Sequence, residues 1–117
     1  MNSKIKQAIN LFDEGRILEA REILDINFSK SKENSDAWLL KGLIESSQNN
    51  FKEAIKSLKK GISITSNHSE IYNALGSAYY NIRSNEQAIA SFKKSINYNE
   101  GNLLPYKNLG ILYHSLK

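Results

Sequence analysis

The side chains best suited to acid–base or metal chemistry are two histidines and twelve carboxylates. His68 lies in a predicted turn and His114 lies near the C-terminus, and neither has a second ligand at metal-binding spacing. Asp13, Glu14 and Asp25 have basic neighbours, as is common on exposed helix surfaces. Cysteine, nucleophile motifs and glycine-rich phosphate loops are missing from the sequence. We therefore predict no catalytic residue, no metal site and no cofactor, and interpret both histidines as surface residues.

Composition is ordinary for a soluble globular protein, with 40% hydrophobic and 24% charged residues in a chain of 117. One proline and six glycines disfavour a turn-rich β fold. The net charge of +4 is spread out, apart from a cluster on one predicted helix: Lys52, Lys56, Lys59 and Lys60. A solvated helix face explains this cluster, and an acidic partner or nucleic acid is the alternative. Without a signal peptide or a membrane-spanning run, the default expectation is a cytoplasmic protein with no membrane partner.

The strongest pattern is an internal repeat, in which six sets of residues recur at a spacing of 34. The sets are Ala20, Ala54 and Ala88; Ala8, Gly42, Gly76 and Gly110; Trp38, Tyr72 and Tyr106; Leu75 and Leu109; Leu11, Tyr79 and Tyr113; and Leu24, Leu58 and Phe92. Spacings of three and four residues within each unit predict two amphipathic helices. Short turns at 14–16, 48–50 and 83–85 make each pair of helices antiparallel. The small residues are expected where the two helices of a pair approach closely.

These residues resemble the tetratricopeptide repeat (TPR) family, whose signature appears as Tyr72, Leu75, Gly76 and Tyr79 followed by Ala88 and Phe92. The resemblance implies an all-α fold: an α-solenoid of stacked antiparallel helix hairpins, with seven helices in a right-handed superhelix. It divides a single domain, 1–117, into repeats 1–34, 35–68 and 69–102 and a half repeat, 103–117. The second repeat departs from the signature, since Lys41 and Glu45 replace Leu and Tyr. Both the period and the signature point away from pentatricopeptide repeats, which read RNA.

The two ends of the array differ in polarity. Lys4 and Gln7 place polar side chains where inner repeats are mostly apolar, which is typical of a solvated first helix. At the other end, Asn102 is expected to cap a helix that opens at Leu103, with Pro105 in its first turn. That helix carries a full first-helix signature but has no second helix after it. Two explanations stay open: the chain is a fragment of a longer repeat protein, or another copy covers this edge through helix 103–116.

The TPR resemblance further implies that the first helices line a concave groove that binds another protein or peptide. The predicted partner-binding residues are Ile9, Phe12, Leu39, Leu43, Asn73, Ser77, Tyr80, Asn81, Lys107, Ile111 and His114. The remaining inward-facing places hold Asn2, Ile5, Asp13, Asp36, Ser46, Ser47, Glu70, Leu104 and Ser115. The apolar end suits an amphipathic helix, and the Asn-rich middle suits an extended backbone. Alternatively, Ile5, Ile9 and Phe12 only tilt the first helix into its neighbour.

The function predicted from this resemblance is a protein–protein interaction scaffold or adaptor, without enzymatic activity. One alternative is a repeat module of a larger enzyme, such as a glycosyltransferase or sulfotransferase, that presents a protein substrate. A nucleic-acid-binding helical array is a further alternative, which the small and dispersed charge disfavours. Chaperone-tail binders of this family use Lys, Asn and Arg at five groove places. If the comparison starts at the first repeat, the equivalent places hold Ile5, Ile9, Leu40, Glu70 and Ala74. If it starts at the second repeat, they hold Leu39, Leu43, Ala74, Leu104 and Asn108. Neither set can clamp a carboxylate, so we predict no binding of acidic chaperone tails.

Overall fold

The computed structural model describes residues 3–116, and all regular structure within that range is helical. The helices are α1 (Ser3–Asp13), α2 (Ile17–Asn27), a 3-10 turn (Phe28–Lys30), α3 (Ser35–Ser47), α4 (Phe51–Ile64), α5 (Ser69–Asn81), α6 (Asn85–Tyr98) and α7 (Leu104–Ser115). The predicted all-α repeat fold with seven helices is thus confirmed. Met1, Asn2 and Lys117 lie outside the described residues, and the repeat boundaries stay a prediction. None of the helices in 3–116 combines the length and apolarity needed to cross a bilayer.

The same tight turn closes each of the three helix hairpins. Gly15, Asn49 and Arg83, spaced by 34 residues, all adopt left-handed backbone angles, with φ of 84°, 64° and 65°. In every case the next residue donates its N–H to the carbonyl five residues earlier, at 2.9 Å. This is the hydrogen bond that ends a helix in a Schellman motif, and it satisfies a carbonyl left free at the helix end. The predicted turns are therefore present, except that Asn85 already begins α6.

In the second and third hairpins, a glycine of the first helix faces a large apolar side chain of the second helix. A Cβ at Gly42 would lie 2.6 Å from Leu58 Cγ, and one at Gly76 would lie 2.5 Å from Phe92 Cε1. Both distances are shorter than any real carbon–carbon contact, so the larger side chain occupies the space that glycine leaves. The predicted role of these small residues in close helix packing agrees with this geometry.

Two apolar cores follow one another along the array, which measures 44 × 26 × 23 Å. The N-terminal core joins α1, α2 and α3 through Ile5, Ala8, Ala20, Leu24, Ala37, Leu40 and Ile44. The C-terminal core runs from α3 to α7 through Leu39, Ile55, Leu58, Ile71, Tyr72, Leu75, Ala78, Tyr79, Ala88, Phe92 and Leu112. Each helix packs chiefly on the helices adjacent in the chain. Stability in such an array comes from stacking, because a single hairpin leaves one apolar face uncovered.

The two residues that depart from the TPR signature in α3 form a polar network with α4. Lys41 Nζ lies 2.8 Å from Glu45 Oε2 and 3.2 Å from Ser57 Oγ. The Ser57 hydroxyl in turn donates to Glu45 Oε1 at 2.6 Å. Because Ser57 is buried and Glu45 is largely buried, this network supplies each polar group with a partner. It replaces the apolar contact that Leu and Tyr would make at these positions.

The last helix leaves one face uncovered. Gly110 has no atom within 4 Å of the place where a Cβ would stand, unlike Gly42 and Gly76. Large apolar side chains of the α7 segment are exposed: Leu103, Leu104, Tyr106, Ile111, Tyr113 and Leu116. Tyr106, Gly110 and Tyr113 lie on one side of the helix, and we call this side the α7 face. Asn102 accepts a hydrogen bond from the Leu104 N–H at 3.2 Å, and α7 begins at Leu104, one residue later than predicted.

Candidate functional site

A groove lies between the first helices of the successive hairpins, with a volume of about 620 Å³. We call it the inner groove, and its lining residues are Ile9, Asp13, Leu39, Leu43, Ser46, Glu70, Asn73, Ala74, Ser77, Asn99, Gly101, Asn102 and Leu104. They come from α1, α3, α5, the start of α7 and the connection between α6 and α7. The helical repeat explains this assembly, because equivalent residues of successive first helices face the same way.

Five of the eleven predicted partner-binding residues meet in the inner groove: Ile9, Leu39, Leu43, Asn73 and Ser77. Asp13, Ser46, Glu70 and Leu104, at the other inward-facing places, line it too. The apolar and polar halves that the sequence predicts are thus adjacent parts of one concavity.

Leu39 differs from its neighbours in the groove because it is only 2% exposed and belongs to the C-terminal core. Its side chain forms part of the groove floor, while Leu43 and Ile9 are half-buried and more open to a ligand. Ile5, predicted to face inward, is completely buried in the N-terminal core. For Ile5 this burial agrees with the alternative interpretation, in which the side chain docks α1 onto its neighbours. A substitution at Leu39 would unsettle the fold along with the groove.

The other six predicted residues lie outside the inner groove. Tyr80 and Asn81 line a separate pocket with Arg83, Asn85, Ser115 and Leu116. Phe12 packs, half-buried, against the N-terminal core. The remaining three, Lys107, Ile111 and His114, are exposed on α7 but do not line the groove.

The segment between α6 and α7 contributes groove residues that sequence reasoning missed. Asn99, Gly101 and Asn102 lie in this connection, whereas all the partner-binding residues predicted from the sequence lie on first helices. The available signal was the polar, glycine-containing composition of residues 99–102, which is typical of an exposed loop able to carry function. Its distance in sequence from α1 and α3 gives no hint that it meets them at one groove.

Amide side chains hold part of the groove wall in place. Asn108 of α7 donates from Nδ2 to Asn73 Oδ1 at 2.9 Å, which ties α7 to α5. Asn81 donates from Nδ2 to the Ser77 carbonyl at 2.8 Å. Because Asn73 uses its oxygen in this bond, its amide N–H groups are the donors it can offer to a ligand backbone.

His68 is not the surface residue predicted from its position in a turn. Its side chain is 13% exposed, and Nε2 lies 2.7 Å from Asp36 Oδ1. With the proton on Nε2, Nδ1 accepts from the Ile71 N–H at 3.4 Å and caps α5. The hydrogen bond from His68 lowers the pKa of the Asp36 carboxyl, against the opposing effect of its partial burial. A structural role in joining α3 to α5 follows from this geometry.

No metal centre emerges from the part of the chain between residues 3 and 116. Its His, Asp and Glu side chains nowhere come together in groups of three or more that could hold an ion.

Stacked antiparallel hairpins with a groove between their first helices define a helical repeat array. Residues 42–82 match the family described as TPR repeat, and residues 69–102 match the family described as Tetratricopeptide repeat. This chain belongs to the tetratricopeptide repeat family. No curated protein matches the sequence significantly.

Solved structures of similar fold share little sequence with this chain. The first TPR of Spaghetti (RPAP3), bound to the HSP90 peptide SRMEEVD, is 13% identical with a TM-score of 0.82, covering 97% of this chain and 90% of that one. MamA is 21% identical with a TM-score of 0.78, covering 96% of this chain and 66% of that one. The translocator chaperone SycD of Yersinia enterocolitica, in an alternative dimer, is 11% identical with a TM-score of 0.79, covering 98% and 92%. This chain therefore spans just under two thirds of the MamA chain, and at such identities the likeness concerns the fold.

Proposed function

We propose that this protein is an interaction module that binds a segment of a partner protein in the inner groove. The observation that carries the proposal is the composition of this concavity. Ile9, Leu43 and Leu104 offer apolar contact area, while Asn73 and Ser77 offer hydrogen-bonding groups beside it. A groove of this kind suits a few anchoring side chains together with the backbone of a bound segment.

Membership of the TPR family supports binding rather than catalysis, and the RPAP3 domain of similar fold holds a peptide from HSP90. The partner of this chain is a different kind of segment. At the five positions where chaperone-tail binders clamp an acidic tail, this chain has apolar, acidic or amide side chains, whether the comparison starts at the first or the second repeat. Ile9, Glu70 and Leu104 are examples. We expect the peptide SRMEEVD, which RPAP3 binds, to show no measurable affinity here.

A selection from a random-peptide display library tests the proposal without presupposing a partner. Leu43→Glu places a carboxylate among the apolar residues of the groove, and Leu43 is only half-buried, so the fold should tolerate it. Leu18→Glu is the matched control, because Leu18 is 80% exposed on α2 and lies outside the groove. Peptides selected on the unmodified protein should lose binding to the Leu43 variant and keep it with the Leu18 variant. Equal binding to both variants would refute the groove as the site.

We also propose that the α7 face pairs with the same face of a second copy. In the complete hairpins, Leu58 fills the space over Gly42 and Phe92 fills the space over Gly76, whereas the space over Gly110 is empty. Tyr106 and Tyr113 lie about one turn on either side of Gly110 and are 47% and 44% exposed. In an antiparallel pair of α7 helices, a tyrosine of each copy would fill the space over Gly110 of the other copy. Such a reciprocal contact is what two-fold symmetry requires.

Light scattering after size exclusion over a range of concentrations tests this pairing. The unmodified chain should shift from monomer to dimer with concentration, and Tyr113→Glu should remain monomeric. Ile26→Glu is the control, since Ile26 is an exposed apolar residue, at 73%, but lies on α2. A chain that stays monomeric at the highest concentration would overturn the proposed pairing.

A further inference from the structure

The ionisable side chains of the inner groove are all acidic. Asp13 and Glu70 line it, and none of the Lys and Arg residues between positions 3 and 116 does. The groove thus has a local charge opposite in sign to the net charge of +4. A concave surface carrying one sign of charge concentrates ligands of the other sign.

Asp13 and Glu70 have no ion-pair partner among residues 3–116, a property that they share with other exposed acidic residues such as Glu22. Glu14 and Glu19 pair with Arg16, Glu45 with Lys41 and Glu53 with Lys56, and Asp36 accepts a hydrogen bond from His68. Asp13 and Glu70 are both exposed, so each can meet a cation without breaking an existing contact.

Helix stabilisation does not account for both positions. Glu70 stands in the first turn of α5, where a carboxylate interacts favourably with the helix dipole. Asp13 is the last residue of α1, where the same dipole disfavours a negative charge. Its carboxylate therefore adds to the negative end of the α1 dipole, and does so beside the groove.

We propose that the segment bound in the inner groove carries lysine or arginine between apolar side chains, an inference that rests on the proposed binding function. The basic groups pair with Asp13 and Glu70, and the apolar side chains contact Ile9, Leu43 and Leu104. Apolar area supplies most of the affinity, while the two carboxylates select the charge of the partner and exclude acidic segments.

The peptides selected by display provide the test, measured by fluorescence anisotropy on the full chain. Groove-dependent peptides, defined by loss of binding to Leu43→Glu, should be enriched in Lys and Arg near apolar residues. Asp13→Asn and Glu70→Gln should each weaken binding about two- to fivefold, as exposed ion pairs do. Both effects should shrink as the salt concentration rises. Glu22→Gln is the matched control, because Glu22 is exposed on α2 outside the groove, and it should leave binding unchanged.

The outcomes separate this inference from the proposed function. Groove-dependent peptides that are neutral or acidic, or that bind equally to the Asp13 and Glu70 variants, would overturn the charge preference and leave groove binding intact. Failure to select any groove-dependent peptide would overturn both.

Discussion

Replacing glycine by alanine should stabilise the chain at Gly110 but not at the equivalent position, Gly76. Gly76 and Gly110 are 34 residues apart and lie in the interiors of α5 and α7. Alanine in a helix interior is favoured over glycine by about 1 kcal/mol, and this gain applies to both sites. They differ only in their surroundings: the Cβ would lie 2.5, 2.6 and 2.8 Å from three ring atoms of Phe92 at Gly76, and would meet nothing within 4 Å at Gly110.

The contact with Phe92 at position 76 sets the size of the difference in stability between the two alanine variants. Phe92 is almost fully buried in the C-terminal core, so its ring cannot move into solvent to make room. Overpacking of a core by one methyl group typically costs about 1–3 kcal/mol. Because the helix-propensity gain cancels between the two variants, their free energies of unfolding should differ by about 1–3 kcal/mol. Gly110→Ala should itself be about 1 kcal/mol more stable than the unmodified chain.

Urea denaturation followed by circular dichroism measures this difference, at concentrations where the chain is monomeric by light scattering. A Phe92→Ala background supplies a further control, because removing the ring removes the contact, and Gly76→Ala should then cost nothing more. Equal stabilities of Gly76→Ala and Gly110→Ala would refute the packing argument, and so would an undiminished penalty in the Phe92→Ala background.

Three further predictions concern polar contacts, each measured by urea denaturation. Glu45→Ala leaves buried Ser57 without its acceptor and should cost about 1–3 kcal/mol, whereas Glu53→Ala, in an exposed pair, should cost under about 0.5 kcal/mol; similar losses would contradict this. Ser95→Ala removes a buried hydroxyl that donates to the Ser69 carbonyl at 2.8 Å and should cost about 1 kcal/mol, while exposed Ser63→Ala should be nearly neutral. His68 lowers the pKa of Asp36 in the folded chain, so the ionised carboxylate stabilises the fold. This stabilisation is complete above the pKa of an unfolded Asp carboxyl, about 3.9, and is lost as the pH falls through the lower pKa of the folded state. Acid should therefore destabilise the unmodified chain more steeply than Asp36→Asn, and parallel pH profiles would argue against a stabilising hydrogen bond between His68 and Asp36.

Much of the fold could be predicted because its determinants are local or periodic. A helix presents residues three and four apart on one face, so Tyr72, Leu75 and Tyr79 mark the buried side of α5 in the sequence alone. The period of 34 then predicts which helices are equivalent and where small residues meet large ones, as Gly76 and Phe92 do.

Burial depth and the contents of the inner groove depended on how the hairpins tilt against one another. Helical spacing gives the direction of a side chain about its own axis but does not give the distance to the next helix. Leu39 and Leu43 share one face of α3, yet Leu39 is in the core and Leu43 borders the groove. Residues 99–102 meet residues of α1 and α3 in the inner groove, and His68 contacts Asp36. Both contacts join segments that are far apart in the sequence. The sequence alone thus determined the helices and their nearest partners, because those contacts repeat locally. Only the tertiary structure decided which side chains a ligand can reach, because the curvature of the whole stack sets that.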